Sequence, residues 1–136
     1  MSGLVLKLNP RERLLVNGAV IENGDRRSRL SILTPNANIL RLRDAIRPDE
    51  VNTPVRRVCY IAQLVLSGDV EEDDAKHQIL RGIEQLSQAL RDDDSRTHLD
   101  SATEAVGRLD FYRTLKSLRN LLQREARLLG AAQNGL

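Results

Sequence analysis

The sequence predicts an α+β fold: an N-terminal antiparallel β-sheet of four to five short strands, followed by a C-terminal bundle of about four α-helices. Two observations lead to this fold class. Residues 1–47 alternate apolar and polar side chains, the period of a half-buried strand, whereas residues 48–130 carry apolar side chains at helical spacing. Strands first and helices later are typical of an α+β domain. We therefore expect one domain over residues 1–130, with a strand-rich basic part (1–47), a helical part (48–130) and a loose tail over 131–136.

The first three strands are predicted from alternation and from one turn signal. Alternating leucines give a strand over residues 4–8. Arg13–Val16 and Ala19–Glu22 are expected to form a hairpin because Asn17-Gly18 joins them. A type I′ turn needs positive φ at both central residues, which Asn and Gly tolerate best.

Two further strands carry arginines in an Arg-x-Arg pattern. A second Asn-Gly pair, Asn23-Gly24, allows a reversal into a strand over Arg27–Leu33. The two faces of that strand differ, with Leu30 and Ile32 on one and Arg27, Arg29 and Ser31 on the other. A fifth strand over Ile39–Arg43 is predicted with Leu40 and Leu42 inward and Arg41 and Arg43 outward.

The helical part is divided by capping signals. Ser, Thr, Asp and Asn are favoured at the N-cap, proline at the first helical position and glycine after the last turn. These signals predict one helix from Thr53-Pro54 to Gly68, one starting near Glu71, a shorter one capped by Ser95, and one from Asp110 to Gly130. Two acidic runs, at 71–74 and 92–94, fall at predicted helix starts, where carboxylates are stabilised by free backbone amides.

The charge is unevenly distributed along the chain. Residues 1–57 carry eleven Lys or Arg against six Asp or Glu, a balance of +5, and residues 58–136 carry ten against thirteen, a balance of −3, which together give the net charge of +2. Eighteen of the 21 basic residues are arginines. Arginine suits phosphate because its planar group donates two parallel hydrogen bonds. GC-rich codon usage is an equally good explanation of the arginine excess.

Six arginines in the strand part form the candidate site, which we interpret as RNA-binding: Arg11, Arg13, Arg27, Arg29, Arg41 and Arg43. Alternate residues on a strand share a face and lie about 6.6 Å apart, so neighbouring Arg-x-Arg strands would line one surface with guanidinium groups. Such a surface neutralises phosphates and releases counterions. The alternative is a solvated face whose arginines pair with Glu22, Asp25 or Asp44.

Other functional classes find little support. Aromatic residues make up only 2% of the chain and lie at helical positions (Tyr60, Phe111, Tyr112), so the core is expected to be aliphatic and base stacking has few candidates. His77 follows Asp73 by four residues but has no second histidine beside it, so no metal is predicted. No nucleophile elbow, phosphate-binding glycine loop or metalloprotease helix occurs, so no cofactor and no enzyme activity are predicted.

The sequence also favours a cytoplasmic location without membrane insertion. Cys59 is the only cysteine and cannot form an internal disulfide, which suits a reducing compartment. The first residues lack the pattern of a signal peptide. The longest apolar stretch, Val58–Leu66, is too short to cross a bilayer and contains Gln63.

Several segments resemble the FlbT family of bacterial flagellar regulators. They are distributed in order along the chain and comprise residues 8–13 (Leu-Asn-Pro-Arg-Glu-Arg), 16–21 (Val-Asn-Gly-Ala-Val-Ile), 53–57 and 60–63 (Thr-Pro-Val-Arg-Arg and Tyr-Ile-Ala-Gln), 114–118 (Thr-Leu-Lys-Ser-Leu) and 125–130 (Glu-Ala-Arg-Leu-Leu-Gly).

The resemblance implies a post-transcriptional regulator of flagellin synthesis and flagellum biogenesis. Such a protein binds the leader region of flagellin mRNA and promotes its decay or blocks its translation; positive action by some members leaves the sign of regulation open. The alternative is a protein-interaction adaptor that binds flagellin or another flagellar regulator and affects mRNA indirectly. In that case Gln63 and the leucine-rich last helix would be the contact positions, since an amphipathic groove accepts a partner helix.

Overall fold

The strands form two small antiparallel sheets. The computed structural model of the chain describes residues 3–133, with side chains through residue 130. Its strands are β1 (Leu4–Leu8), β2 (Arg13–Val16), β3 (Ala19–Glu22), β4 (Ser28–Ile32) and β5 (Ile39–Arg41). One sheet pairs β1 with β4, and the other has the order β3-β2-β5. Strands followed by helices confirm the predicted α+β class.

The predicted hairpin of β2 and β3 is present with the expected turn. Asn17 and Gly18 have φ of 49° and 86°, and Val16 pairs with Ala19 directly beside them. Positive φ at both central residues is the signature of a type I′ turn, whose twist matches that of the flanking strands. The Asn-Gly pair therefore fixes the register of this hairpin.

Asn23-Gly24 does not form a second hairpin. The side-chain amide of Asn23 donates to the carbonyls of Asn9 and Arg26, at 2.8 and 2.9 Å, and its oxygen accepts from the Ser28 hydroxyl at 2.8 Å. These bonds hold a loop that leads the chain away from the β2–β3 hairpin. As a result β4 pairs with β1 and not with β3.

In the described residues, two short 3₁₀ turns, Leu42–Asp44 and Pro48–Glu50, are followed by five helices. The helices are α1 (Pro54–Leu66), α2 (Glu72–Ala89), α3 (Asp93–Gly107), α4 (Phe111–Arg119) and α5 (Leu122–Gln133). The helix predicted from Asp110 to Gly130 is thus two helices, separated at Asn120 and Leu121. Residues 131–133 of the predicted tail continue α5, and 134–136 lie outside the described residues. Within residues 3–133, no helix is long and apolar enough to cross a membrane.

Side-chain caps start three of the helices. Thr53 Oγ1 accepts from the Arg56 amide at 3.2 Å, and an Asp110 carboxylate oxygen accepts from the Arg113 amide at 3.1 Å, as predicted. The cap of α3 is Asp92, which accepts from the Ser95 amide and hydroxyl at 3.1 and 2.8 Å. Ser95 lies inside the first turn, so its prediction as the cap was wrong by three residues.

Two apolar clusters hold the fold together. The larger one joins the helices and includes the buried Phe111 and, from β5, Leu40. The smaller one lies between the two sheets and consists of Leu6, Leu8, Leu14 and Ile39. Apart from Phe111 both cores are mainly aliphatic, as the composition predicts. Burial of leucines on the inner face of β1 leaves its outer face toward solvent.

Candidate nucleic-acid interface

The outer face of the β1–β4 sheet carries basic side chains. Lys7 stands directly opposite Arg29, and Val5 stands opposite Ser31. All four residues are exposed. Arg27 comes immediately before β4 and is exposed as well. We call Lys7, Arg27 and Arg29 the strand face.

The cations of the strand face have no acidic partners within the part of the chain that the structure describes. Among the described residues, no carboxylate oxygen lies within 4.0 Å of the charged nitrogens of Lys7, Arg27 or Arg29. Like charges directly opposite each other in a sheet are destabilising. The Lys7–Arg29 pair is therefore an unfavourable arrangement that a bound anion would relieve.

Arg11 and Arg13 lie near the start of the β2–β3 hairpin and are both paired. Arg11 Nη2 lies 2.5 Å from Asp25 Oδ1, and Arg11 Nη1 lies 3.4 Å from Glu22 Oε2. Arg13 Nε lies 2.8 Å from Glu22 Oε1. The bond from Arg13 lowers the pKa of Glu22 below its ordinary value. Both arginines are about two-thirds exposed, at 66% and 64% of their side chains. Exposed ion pairs contribute little stability, so these arginines can exchange partners.

Arg41 does not point outward as predicted. Its Nε and Nη2 contact Glu12 Oε2 and Oε1 at 2.6 and 2.9 Å, and Nη2 also donates to the carbonyl of Lys7. Only 12% of the Arg41 side chain and 5% of the Glu12 side chain are exposed. The bond from Arg41 holds the pKa of Glu12 down at about 2. Arg41 is thus a structural residue that links the two sheets.

Arg43 lies in the first 3₁₀ turn and not in a strand, because β5 ends at Arg41. Its Nε is 3.7 Å from Glu12 Oε2 and 3.9 Å from Asp44 Oδ1, and half of its side chain is exposed. Leu42, predicted to face inward, is 37% exposed. The shorter strand explains both errors, since alternation stops where the backbone leaves the extended region.

The six predicted arginines therefore do not share one surface. The strands that carry the two Arg-x-Arg pairs belong to different sheets, since β4 pairs with β1 and β5 pairs with β2. Pairing with Glu22, Asp25 and Asp44, the alternative considered for these arginines, occurs at Arg11, Arg13 and Arg43. Arg27 and Arg29 keep open guanidinium groups. Sequence analysis missed Lys7, whose alternation with buried leucines was the available signal.

The three aromatic side chains belong to helices, and Tyr112 packs against the apolar cluster between the two sheets. Tyr60 belongs to α1, and Phe111 and Tyr112 belong to α4. Phe111 is 2% exposed and belongs to the helical core. Recognition by the strand face would therefore depend on charge and hydrogen bonding, with no base stacking from these three rings.

Gln63 was predicted as a contact position for a partner protein. Its side chain is buried, and both its oxygen and its amide nitrogen are hydrogen-bonded within the chain. Its oxygen accepts from the Ile46 amide at 2.7 Å, and its amide donates to the Ile46 carbonyl at 3.0 Å. These two bonds fasten the segment between the sheets and α1 to the middle of that helix. The prediction for Gln63 was therefore wrong, because its side chain hydrogen-bonds to the buried backbone of Ile46 and is not available to a partner protein.

These features define a small α+β fold with an exposed cationic strand face. The family profile described as "Flagellar protein FlbT" matches residues 4–129, so the chain belongs to the FlbT family. No solved structure matches the chain significantly.

Proteins of several bacteria are similar to the chain over nearly its whole length. The "Flagellum biosynthesis repressor protein FlbT" of Caulobacter vibrioides is 28% identical over 133 residues, which are 98% of this chain and 94% of that protein. The "Probable flagellum biosynthesis repressor protein FlbT" of Mesorhizobium japonicum is 30% identical over 127 residues, 93% and 85% of the two chains. A protein of Bradyrhizobium diazoefficiens with the same description, FlbT 1, is 33% identical over 128 residues, again 93% and 85%.

Proposed function

We propose that this protein represses flagellum biosynthesis after transcription, by binding the leader region of flagellin mRNA and blocking its translation or promoting its decay. Membership of the FlbT family and the names of its relatives support the repressor role. The observation that supports the RNA contact is the strand face, where no carboxylate of the described residues lies within 4.0 Å of Lys7, Arg27 or Arg29.

The chemistry of the strand face suits a phosphate backbone. Arg27 and Arg29 offer planar groups for bidentate hydrogen bonds, and Lys7 adds a point charge on β1, opposite Arg29. Arg11 and Arg13 supply two further cations near the β2–β3 hairpin when their exposed ion pairs exchange carboxylate for phosphate. The protein performs no chemistry on the message, so decay requires a ribonuclease of the host and repression follows from blocked ribosome binding.

A gel-shift titration tests this function. The full chain is titrated against a flagellin mRNA leader and against a scrambled RNA of the same length and composition. We expect tighter binding to the leader, because phosphate contacts position the protein and RNA shape or exposed bases supply the selectivity. Equal affinity for the two RNAs, or no binding to either, would contradict the proposal.

A protein-interaction adaptor is the second candidate. One observation favours it: Leu128 and Leu129 of α5 are 41% and 42% exposed, an apolar surface available to a partner helix. In this case flagellin or another flagellar regulator would bind α5 and mRNA effects would be indirect. Capture of flagellin from nuclease-treated extract by the wild type, lost in a Leu128→Ser/Leu129→Ser variant, would favour the adaptor over the RNA-binding regulator.

A further inference from the structure

A small cleft lies between the 3₁₀ turn Leu42–Asp44 and α4, where the strand part of the chain meets the helical part. Its volume is about 230 Å³. Six polar side chains able to donate hydrogen bonds line it: Arg41, Arg43, Tyr112, Lys116, Arg119 and Asn120. Among the described residues that line the cleft, Asp44 is the only acidic one.

The charges around the cleft do not cancel. Glu12, which does not line the cleft, pairs with Arg41 and lies 3.7 Å from Arg43 Nε. Asp44 lies between two arginines, with its Oδ1 3.9 Å from Arg43 Nε and 3.4 Å from Arg119 Nη2. Lys116 is exposed and, within the described part of the chain, has no carboxylate within 4.0 Å. Four cations against two carboxylates leave a net charge of +2 on this group.

The surroundings favour an anion over solvent. The apolar wall of the cleft includes the buried residues Ile39 and Leu115, which replace water on one side of a bound anion and so strengthen its attraction to the cations. The hydroxyl of Tyr112 is protonated at neutral pH and can donate to a phosphate oxygen, and burial raises its pKa further. The Arg43 side chain is half exposed, so it can turn toward a ligand.

We propose that this cleft binds a phosphate group, held by Arg43, Lys116 and Arg119. The volume sets the size of the ligand. Pockets for drug-sized ligands enclose about 300–1,000 Å³, so this smaller cleft matches one phosphate or diphosphate group, with any attached sugar or base left outside it. The group comes either from an RNA backbone or from a free phosphate compound. The proposal goes beyond the role of the strand face and stands even if that face binds no RNA.

Titration of the isotope-labelled full chain with inorganic pyrophosphate, followed by nuclear magnetic resonance at low salt, tests the site. We expect the largest amide shifts at residues 42–44 and 112–120. Lys116→Gln should weaken pyrophosphate binding about fivefold, since one charge-assisted hydrogen bond is lost. Lys76→Gln on α2 removes the same charge away from the cleft and should leave the affinity unchanged.

A second variant tests the site in the opposite direction. Asp44→Asn removes the carboxylate that competes for Arg43 and Arg119, while the bond from Arg119 Nη1 to the Asp44 carbonyl, at 3.0 Å, remains available. Pyrophosphate binding should become about threefold tighter. Shifts spread evenly over exposed arginines elsewhere, equal affinity of Lys116→Gln and the wild type, or weaker binding by a folded Asp44→Asn variant would each overturn the proposal.

A parallel titration with a short oligoribonucleotide identifies the source of the phosphate. Shifts at the same residues, reduced by Lys116→Gln, would show that RNA supplies the group. Shifts with pyrophosphate alone would assign the cleft to a free phosphate compound. Both results support the site, and both are independent of whether the strand face distinguishes one RNA from another.

Discussion

Glu12, in the turn after β1, and Arg41, at the end of β5, form a buried ion pair with two contacts of 2.6 and 2.9 Å. A buried charge that loses its partner is strongly destabilising, by about 3–5 kcal/mol. We therefore expect Arg41→Met to lower the free energy of unfolding by about 3 kcal/mol, measured by urea denaturation. The double variant Glu12→Leu/Arg41→Met should lose less, because no unpaired carboxylate remains. Equal losses in the single and double variants would contradict this role.

The same pair makes stability depend on pH. The folded-state pKa of Glu12 is about 2, below its ordinary value of 4.5, so its contribution is fully present above pH 4.5 and is lost as the pH falls toward 2. The stability advantage of the wild type over Glu12→Gln should shrink by about 3 kcal/mol across that window. Urea denaturation of both proteins, from neutral pH down to the lowest pH at which they fold, measures this difference. A stability difference that stays constant with pH would contradict the prediction.

Gln63 fastens Ile46 to α1 and is predicted to be structural. Gln63→Leu preserves the approximate size of the side chain but leaves the Ile46 amide and carbonyl buried without partners. Each unsatisfied buried group costs about 1–3 kcal/mol, so we expect a loss of about 3 kcal/mol in the free energy of unfolding. Gln88→Leu, at an exposed position of α2, is the control. Thermal unfolding followed by circular dichroism measures both, and similar small losses would refute the structural role.

Gly82 allows the close approach of α2 to α1. An added Cβ would lie 2.5 Å from Val58 Cγ2, so Gly82→Ala should destabilise the protein by about 1–3 kcal/mol, even though alanine favours helix by about 1 kcal/mol. A Cβ added at Gly107, at the end of α3, would have no heavy atom within 4 Å, so Gly107→Ala should not destabilise the protein. Urea denaturation of both variants tests the difference. A stable Gly82→Ala variant would show that the two helices separate without cost.

Local signals in the sequence predicted local structure well. Asn17-Gly18 correctly predicted the hairpin, and Thr53 and Asp110 correctly predicted the starts of two helices. Turn and cap chemistry depends on a few neighbouring residues, so it can be read from the local sequence. Asp92 was missed since four consecutive polar residues, ending at Ser95, all have the chemistry of an N-cap. The break between α4 and α5 was missed because the apolar stripe continues through Leu121, which is 1% exposed, and no glycine or proline marks the break.

The candidate site was predicted only in part, because charge pairing depends on contacts distant in sequence. Arg29 was correctly placed on the polar face of its strand by alternation. Its neighbour Lys7 is 22 residues away in sequence and becomes its partner only through the pairing of β1 with β4. Glu12 and Arg41 are likewise 29 residues apart, so no local pattern shows that this arginine is buried against a carboxylate.

The salt dependence of RNA binding by Arg27→Gln/Arg29→Gln tests the strand face most directly. The matched control, Arg81→Gln/Arg96→Gln, removes two exposed arginines from α2 and α3. Each phosphate contact on a single strand contributes about 0.7 to the slope of log affinity against log salt. We predict that the strand variant binds the flagellin leader more weakly and that its slope falls by about 1.4, while the control retains the wild-type slope. Equal affinities and slopes in the two double variants would contradict RNA binding by the strand face.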